Sequence, residues 1–197
     1  MESEGDRPRL VWLGEAGDAT RGDDWIVLDA PPGSDRFVDP VGGTADLSAP
    51  VLAFETAGDF VFSARASVEF GAPFDAGCLV VLLDDDHWAK CCFEATPAGE
   101  PSIVSAVNRG RCDDCNSVTT DRSTIHLRIS RLGGAFAFHY STGGSWWELV
   151  RLFPLTEPTT PIHAGFLAQS PRGPGCRVRF SDIAFEYRTL ADPRSGH

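Results

Sequence analysis

From residue 59 onward, apolar side chains recur at every second position rather than every third or fourth. In residues 60–70 the even positions are Phe60, Phe62, Ala64, Ala66, Val68 and Phe70, and Ser63, Arg65, Ser67 and Glu69 alternate with them. A strand turns successive side chains to opposite faces, so this pattern predicts a half-buried strand. Residues 78–83 are apolar on both parities, which predicts a strand inside a sheet, covered on both sides. The same reading places strands over 88–95, 102–109, 124–131, 135–140, 146–152, 162–169 and 176–187. Gly133-Gly134 and Gly143-Gly144 fall between three of them, where tight hairpins need residues that tolerate positive φ. In the last run the apolar parity shifts from Val178/Phe180 to Ile183/Phe185, which predicts a bulge or a turn at Ser181-Asp182. Trp147 shares parity with Leu149, so Trp147 is expected to be buried and Trp146 exposed.

Residues 14–50 are broken by Pro31-Pro32-Gly33 and Gly42-Gly43. Short strands near 9–13, 25–29 and 36–39, joined by irregular turns, are expected there. Residues 1–8 and 189–197 are polar and are expected to fray. No segment sustains a 3.6-residue period and no internal repeat is present. The expectation is an all-β fold, a sandwich or barrel, in one domain over residues 1–197.

Composition narrows the partners. Thirteen Phe and five Trp suffice to fill a core between two sheets. The net charge is −11 and no run of Lys or Arg occurs, which argues against nucleic acid and anionic membranes. The start, Met1-Glu-Ser-Glu-Gly-Asp6, has no apolar segment, and no stretch approaches the ~18 apolar residues of a membrane span. A cytoplasmic location is expected. Of six cysteines, Cys78, Cys91 and Cys92 lie in apolar strand contexts and read as buried free thiols.

Lys90 is the single lysine against sixteen arginines, and it falls inside a strand. A lysine supplies a compact point charge on a flexible stem, whereas arginine supplies a rigid planar fork. By parity Ala89, Cys91 and Phe93 share one face, and Trp88, Lys90, Cys92 and Glu94 share the other. Lys90 and Glu94 then stand roughly 13 Å apart, too far to pair directly but able to flank a ligand about one sugar ring across. The same exercise singles out Arg128, His139 and Gln169. It leaves 102–109 ambiguous, with Ser105 and Arg109 on one parity and Asn108 on the other. Trp88, Lys90, Glu94, Arg128, His139 and Gln169 could together line one concave sheet face. The alternative is an ordinary solvated outer face.

The densest polar loop is Arg109-Gly-Arg-Cys-Asp113-Asp114-Cys-Asn116. Its Cys112-x-x-Cys115 is half of a zinc site whose second half is missing, so neither metal nor other cofactor is expected. Asp84-Asp85-Asp86 lacks the alternating ligands and central Gly of a calcium loop. No Gly-x-Ser-x-Gly elbow or Cys–His pairing suggests nucleophilic catalysis. Glycoside hydrolysis needs two carboxylates facing across a cleft. The alternating acidic triplet Glu2-x-Glu4-x-Asp6 lies in the tail, which leaves Glu94 with Asp113 or Asp114 as the candidate catalytic pair.

Several motifs in order carry a family resemblance. They are Pro31-Pro32-Gly-Ser-Asp35-Arg-Phe37, Asp59-Phe-Val-Phe-Ser, Phe74-Asp75-Ala-Gly77-Cys-Leu79, Trp88-Ala-Lys90 and Phe93-Glu94. Downstream follow Ser105-Ala-Val-Asn-Arg109-Gly-Arg-Cys-Asp113-Asp114, Phe138-His139-Tyr140-Ser141, Trp147 and Gly165-Phe166. With these the chain resembles the bacterial and fungal family called domain of unknown function 1349, which also includes a yeast regulation-of-enolase protein. The resemblance covers about residues 25–187. It implies a concanavalin A-like lectin/glucanase jelly roll of two packed antiparallel sheets, the concave one carrying the candidate site. The chain departs from the family pattern with Asn108 where Thr is common, Gly143 where the hairpin often has Asp, and Cys112 where Ser is usual.

The leading expectation is a binding module for a carbohydrate or another small polar ligand. Its candidate ligand-binding residues are Trp88, Lys90, Glu94, Ser105, Arg109, Arg128, His139 and Gln169, with Trp88 as an aromatic platform. Lys90 is expected to meet an acidic or polar ligand group. A glycoside hydrolase-like enzyme using Glu94 is the alternative, and a protein-interaction or regulatory domain is a third.

Overall fold

A computed structural model describes residues 8–157 and 160–197; the triplet Glu2-x-Glu4-x-Asp6 lies outside them. The strands are β1 (Val11–Leu13), β2 (Asp18–Arg21), β3 (Trp25–Ala30), β4 (Phe37–Val38), β5 (Ala45–Asp46), β6 (Val51–Thr56), β7 (Phe60–Val68) and β8 (Ala76–Leu82). They continue with β9 (His87–Ala95), β10 (Pro101–Arg109), β11 (Cys112–Thr119), β12 (Thr124–Leu132), β13 (Ala135–Ser141), β14 (Glu148–Pro154), β15 (Ile162–Gln169) and β16 (Cys176–Glu186). One antiparallel sheet has the order β1-β6-β15-β8-β9-β10-β11, and a second has β14-β13-β12-β7-β16-β3-β2. β4 and β5 form a separate short hairpin. None of the described residues is helical.

The two large sheets stack as a jelly-roll sandwich because each strand turns one parity inward. Phe62 of the second sheet meets Phe54 and Phe166 of the first edge-on, at ring-centroid distances of 5.5 and 5.2 Å. Burying each such ring stabilises the fold by about 1.5–3 kcal/mol. β8 lies fourth of seven in its sheet and is buried at every residue, as its two-sided apolar run requires. The parity break in β16 is a register shift between Ser181 and Ala184, with Asp182 at φ 52°.

Four strands were not anticipated. β6 is apolar at most positions because both its faces are covered, so it shows no alternation. β11 reads as a polar loop because it is an edge strand, mostly exposed. β2 and β5 are short and exposed. The C-terminal residues are also a correction. Leu190 is buried, and the carbonyls of Pro193 and Gly196 accept hydrogen bonds from buried side chains of the second sheet, so this end is docked rather than frayed. Trp146 is exposed and Trp147 half-buried. Trp147 does not enter the inter-sheet core, however. It lies just ahead of β14 with the Arg128 guanidinium 4.2 Å from its ring centroid.

The outer face of the first sheet is covered. Val80, Trp88, Cys92, Ala106 and Leu167 form a second apolar cluster, overlaid by Val38 and Ala49 with Phe37 and Leu47 beside them. The 31–50 segment therefore roofs a face that alternation alone would assign to solvent.

One close approach tests this packing. A Cβ on Gly165 of β15 would stand 2.2 Å from the Leu52 carbonyl oxygen and 2.5 Å from the Ala53 Cα, both backbone atoms of β6. Gly165→Ala is expected to cost about 2 kcal/mol through overpacking, measured by urea denaturation. An unchanged midpoint would contradict the close approach of β6 and β15.

Candidate functional site

Register fixes which side chains meet under the roof. Lys90 of β9 lies between Val80 of β8 and Ala106 of β10, and its ammonium is buried. It donates to Gln169 Oε1 at 2.7 Å and lies 3.5 Å from Asp35 Oδ1. Gln169 reaches this point from the last position of β15, opposite Ala76, and its Nε2 donates to the Phe74 carbonyl at 3.4 Å.

Asp35 is brought there by its loop. Gly33, at φ 71°, donates to the Ser170 carbonyl, and Ser170 N donates back to that of Ser34, each at 3.0 Å. Ala49 N donates to the Asp35 carbonyl at 2.8 Å. The segment is thus stitched to the end of β15, beside Gln169. Phe74 stands at φ 70°, a conformation that costs a bulky residue about 1–3 kcal/mol. Buried Asp75 holds that turn, since one carboxylate oxygen accepts from Gly71 N and Ala72 N and the other from Ser170 Oγ.

These residues border a pocket of about 440 Å³. Phe37, Phe74 and Val104 give it apolar walls, Lys90 and Arg172 supply positive charge, and Asp35, Asp46, Glu94 and Asp114 supply carboxylates. Glu94 is only 8% exposed and makes no hydrogen bond or ion pair with a described residue. Burial pushes its carboxyl up to about 7; Lys90 opposes this, and Asp114 and Asp35 add to it. Asp114 is also raised, first by desolvation at the pocket wall. Burial alone would pull Lys90 down, but the carboxylates of Asp35, 3.5 Å away, and Glu94 oppose it, and the ammonium stays charged.

Trp88 is not an open platform. It is fully buried, donates from Nε1 to the Asp85 carbonyl at 3.1 Å, and carries the Arg36 guanidinium 5.2 Å from its ring centroid. Asn108 ties the same turn by donating to the carbonyls of Asp85 and Asp86.

Five other candidates fall outside the pocket. Ser105 pairs in register with Cys91 and so faces the other sheet. Arg109 shares that parity at the exposed end of β10 and donates to the Pro154 carbonyl. Arg128 and His139 pair with each other on the outer face of the second sheet, beneath the C-terminal segment. Burial pushes His139 down to about 4. Parity separates inward from outward within a strand but does not say to which sheet the strand belongs. Asp113 points opposite to Asp114 and pairs with Arg151 of β14 at 2.6 Å, so it is not a partner for Glu94. Cys112 is buried, with Val38 N donating to its Sγ at 3.3 Å, whereas Cys115 is exposed on the other parity. Among the described residues no group of His, Cys, Asp and Glu is placed to hold a metal.

A family described as Protein of unknown function (DUF1349) matches residues 12–188. The chain belongs to this family. Regulation of enolase protein 1 of Saccharomyces cerevisiae is 26% identical over 159 residues, 80% of this chain and 79% of that protein. A crystal structure of a functionally unknown protein from S. cerevisiae superposes with a TM-score of 0.83 at 23% identity, over 90% of this chain and 95% of that one. The GH43 protein BlXynB of Bacillus licheniformis gives a TM-score of 0.67 at 14% identity, covering 83% of this chain but 33% of that enzyme. At these identities the structural likenesses establish the fold alone.

Sequence reasoning missed Asp46 and Arg172 and gave Asp35, Phe37 and Phe74 no role. All five lie in loops or at the two-residue hairpin, where no periodicity operates. Asp35, Phe37 and Phe74 do stand within motifs that carry the family resemblance.

Proposed function

We propose that the chain is a binding module for a small polyhydroxylated ligand of the carbohydrate class, held in the pocket between the first sheet and the 31–50 segment. The observation that carries this reading is the pocket's mixture of surfaces. Lys90, Glu94 and Gln169 are polar side chains on its buried floor, and Phe37, Phe74 and Val104 are apolar walls. Sugar sites need such a mixture, with apolar contact for ring C–H faces and a few aimed acceptors and donors for hydroxyls. The cavity volume suits a ligand of one or two rings. Fold neighbours described as GH43 enzymes or a polysaccharide lyase add support at the level of the fold.

Calorimetric titration against a panel of mono- and oligosaccharides tests this. Asp114→Asn and Arg172→Ala, both at exposed positions of the pocket rim, are expected to weaken a binder at least about tenfold while shifting stability by less than about 0.5 kcal/mol. Unchanged affinities in both variants would remove the pocket from consideration.

One observation favours a second reading. A carboxyl raised to about 7 beside a second carboxylate, here Glu94 with Asp114, is the electrostatic arrangement of a general acid and its partner in glycoside hydrolysis. Reducing-end release from a glycoside panel, abolished by Glu94→Gln, would establish catalysis. Binding without turnover would leave the module reading in place.

A further inference from the structure

We infer that the ligand carries a protonated amine, which Glu94 receives on the pocket floor. This rests on the reading of the pocket as a site for a sugar-sized ligand and names the class within it: an amino sugar or another aminated polyol.

The argument begins with an unanswered side chain. Glu94 lies on β9 between Ala76 of β8 and Ser102 of β10 and is nine-tenths buried, yet no described residue donates to it. Its oxygens keep some contact with solvent through the pocket, yet a carboxylate so largely desolvated and without a protein partner is unfavourable, and folded proteins normally pair it. The nearest buried cation does not do so. Lys90 sits four residues away on the same face, and its ammonium is directed to Gln169 and Asp35. Lys90 therefore serves as internal counter-charge for the roof loop and is not free to meet an acidic ligand.

The charge count points the same way. Four carboxylates, Asp35, Asp46, Glu94 and Asp114, border the pocket against two cations, Lys90 and Arg172. When all are ionised, the lining is two charges negative. An anionic ligand would add to that excess. A neutral polyol would supply hydroxyl donors but no charge. An ammonium supplies three donors and the missing charge in one compact group, and Phe37 and Phe74 stand nearby to accept its aliphatic stem or ring. The groups acting on Glu94 are Lys90, Asp114 and Asp35. Cys92 lies between Lys90 and Glu94 on β9, and its thiol remains neutral because burial raises its pKa. Ammonium binding therefore draws on an ionised Glu94 and is expected to tighten as pH rises through neutrality.

The test uses methyl glycosides in gluco, galacto and manno configuration, each with a 6-amino, a 6-hydroxyl or a 6-carboxylate group. The alkylammonium stays protonated throughout the range tested. In titration of the full chain, at least one 6-amino glycoside is expected to bind more tightly than its 6-hydroxyl and 6-carboxylate counterparts. Its affinity should rise about tenfold between about pH 6 and about pH 8. Glu94→Gln should abolish both the preference and the pH dependence while retaining the native circular dichroism spectrum. A 6-hydroxyl or 6-carboxylate glycoside binding as tightly as the amine would overturn the inference and leave the carbohydrate reading standing. An amine preference unchanged in Glu94→Gln would show general attraction to an acidic protein and would overturn the assignment to Glu94. Failure of every glycoside to bind would overturn the carbohydrate reading itself.

Discussion

Replacement of Lys90 by methionine is expected to destabilise the fold by about 3 kcal/mol, because it removes the buried charge that the surrounding carboxylates face. Methionine preserves the length and most of the apolar stem, so the loss reports on the ammonium rather than on a cavity. The ammonium's contacts are Gln169 Oε1 and Asp35 Oδ1, and Glu94 and Asp114 lie within its field. Asp35 remains partly exposed and can rehydrate, which holds the effect at the lower end of the range for broken buried pairs. Lys90→Arg keeps the charge but must fit a larger planar group beside Trp88, and is expected to cost about 1–2 kcal/mol. Urea denaturation at neutral pH reads both variants. A methionine variant as stable as the parent would show that Lys90 balances no buried charge.

Glu94→Gln is expected to act in the opposite direction. The folded-state carboxyl titrates at about 7 against an ordinary value of 4.5, so the folded chain holds this proton more tightly than the unfolded chain. Between those values the folded state binds more protons, and stability falls as pH rises. The loss begins near the ordinary glutamate range and is complete above the folded value, reaching about 3 kcal/mol. Glutamine carries no such proton. The variant is therefore expected to be more stable than the parent above neutrality by up to that amount and equal to it at acid pH. A difference that stays constant across the pH range would contradict the burial of an unpartnered Glu94. A residue whose replacement stabilises the free protein is one retained for something other than folding, and here it faces a pocket.

Much of the sandwich was legible because alternation is a direct image of a sheet with one buried face. β7, β12, β13 and β15 all carry it. The two-sided run of β8 marks a central strand, and the parity break of β16 marks a bulge or turn, which the structure resolves as a register shift. The roofed face was harder. Trp88, Lys90, Cys92 and Glu94 were placed together correctly by parity, but an outward face reads as solvated unless something distant covers it. The cover is the 31–50 segment, which is irregular and held by the Gly33, Ser34, Ala49 and Ser170 backbone bonds rather than by any local pattern. For that reason Trp88 reads from sequence as a platform, whereas it is a buried support. Arg128 and His139 failed differently. Parity groups them with the Lys90 face, but they stand on the outer face of the second sheet, where the docked C-terminal segment buries them.

The most direct measurement follows the Glu94 side-chain carboxyl by carbon-13 NMR through a pH titration, with the Glu94→Gln variant to assign the resonance. The free protein is expected to titrate near 7, and a saturating 6-amino glycoside is expected to lower that midpoint by supplying the missing counter-charge. A free-protein midpoint near the ordinary value of 4.5, unmoved by any glycoside, would contradict a largely buried carboxylate awaiting a ligand.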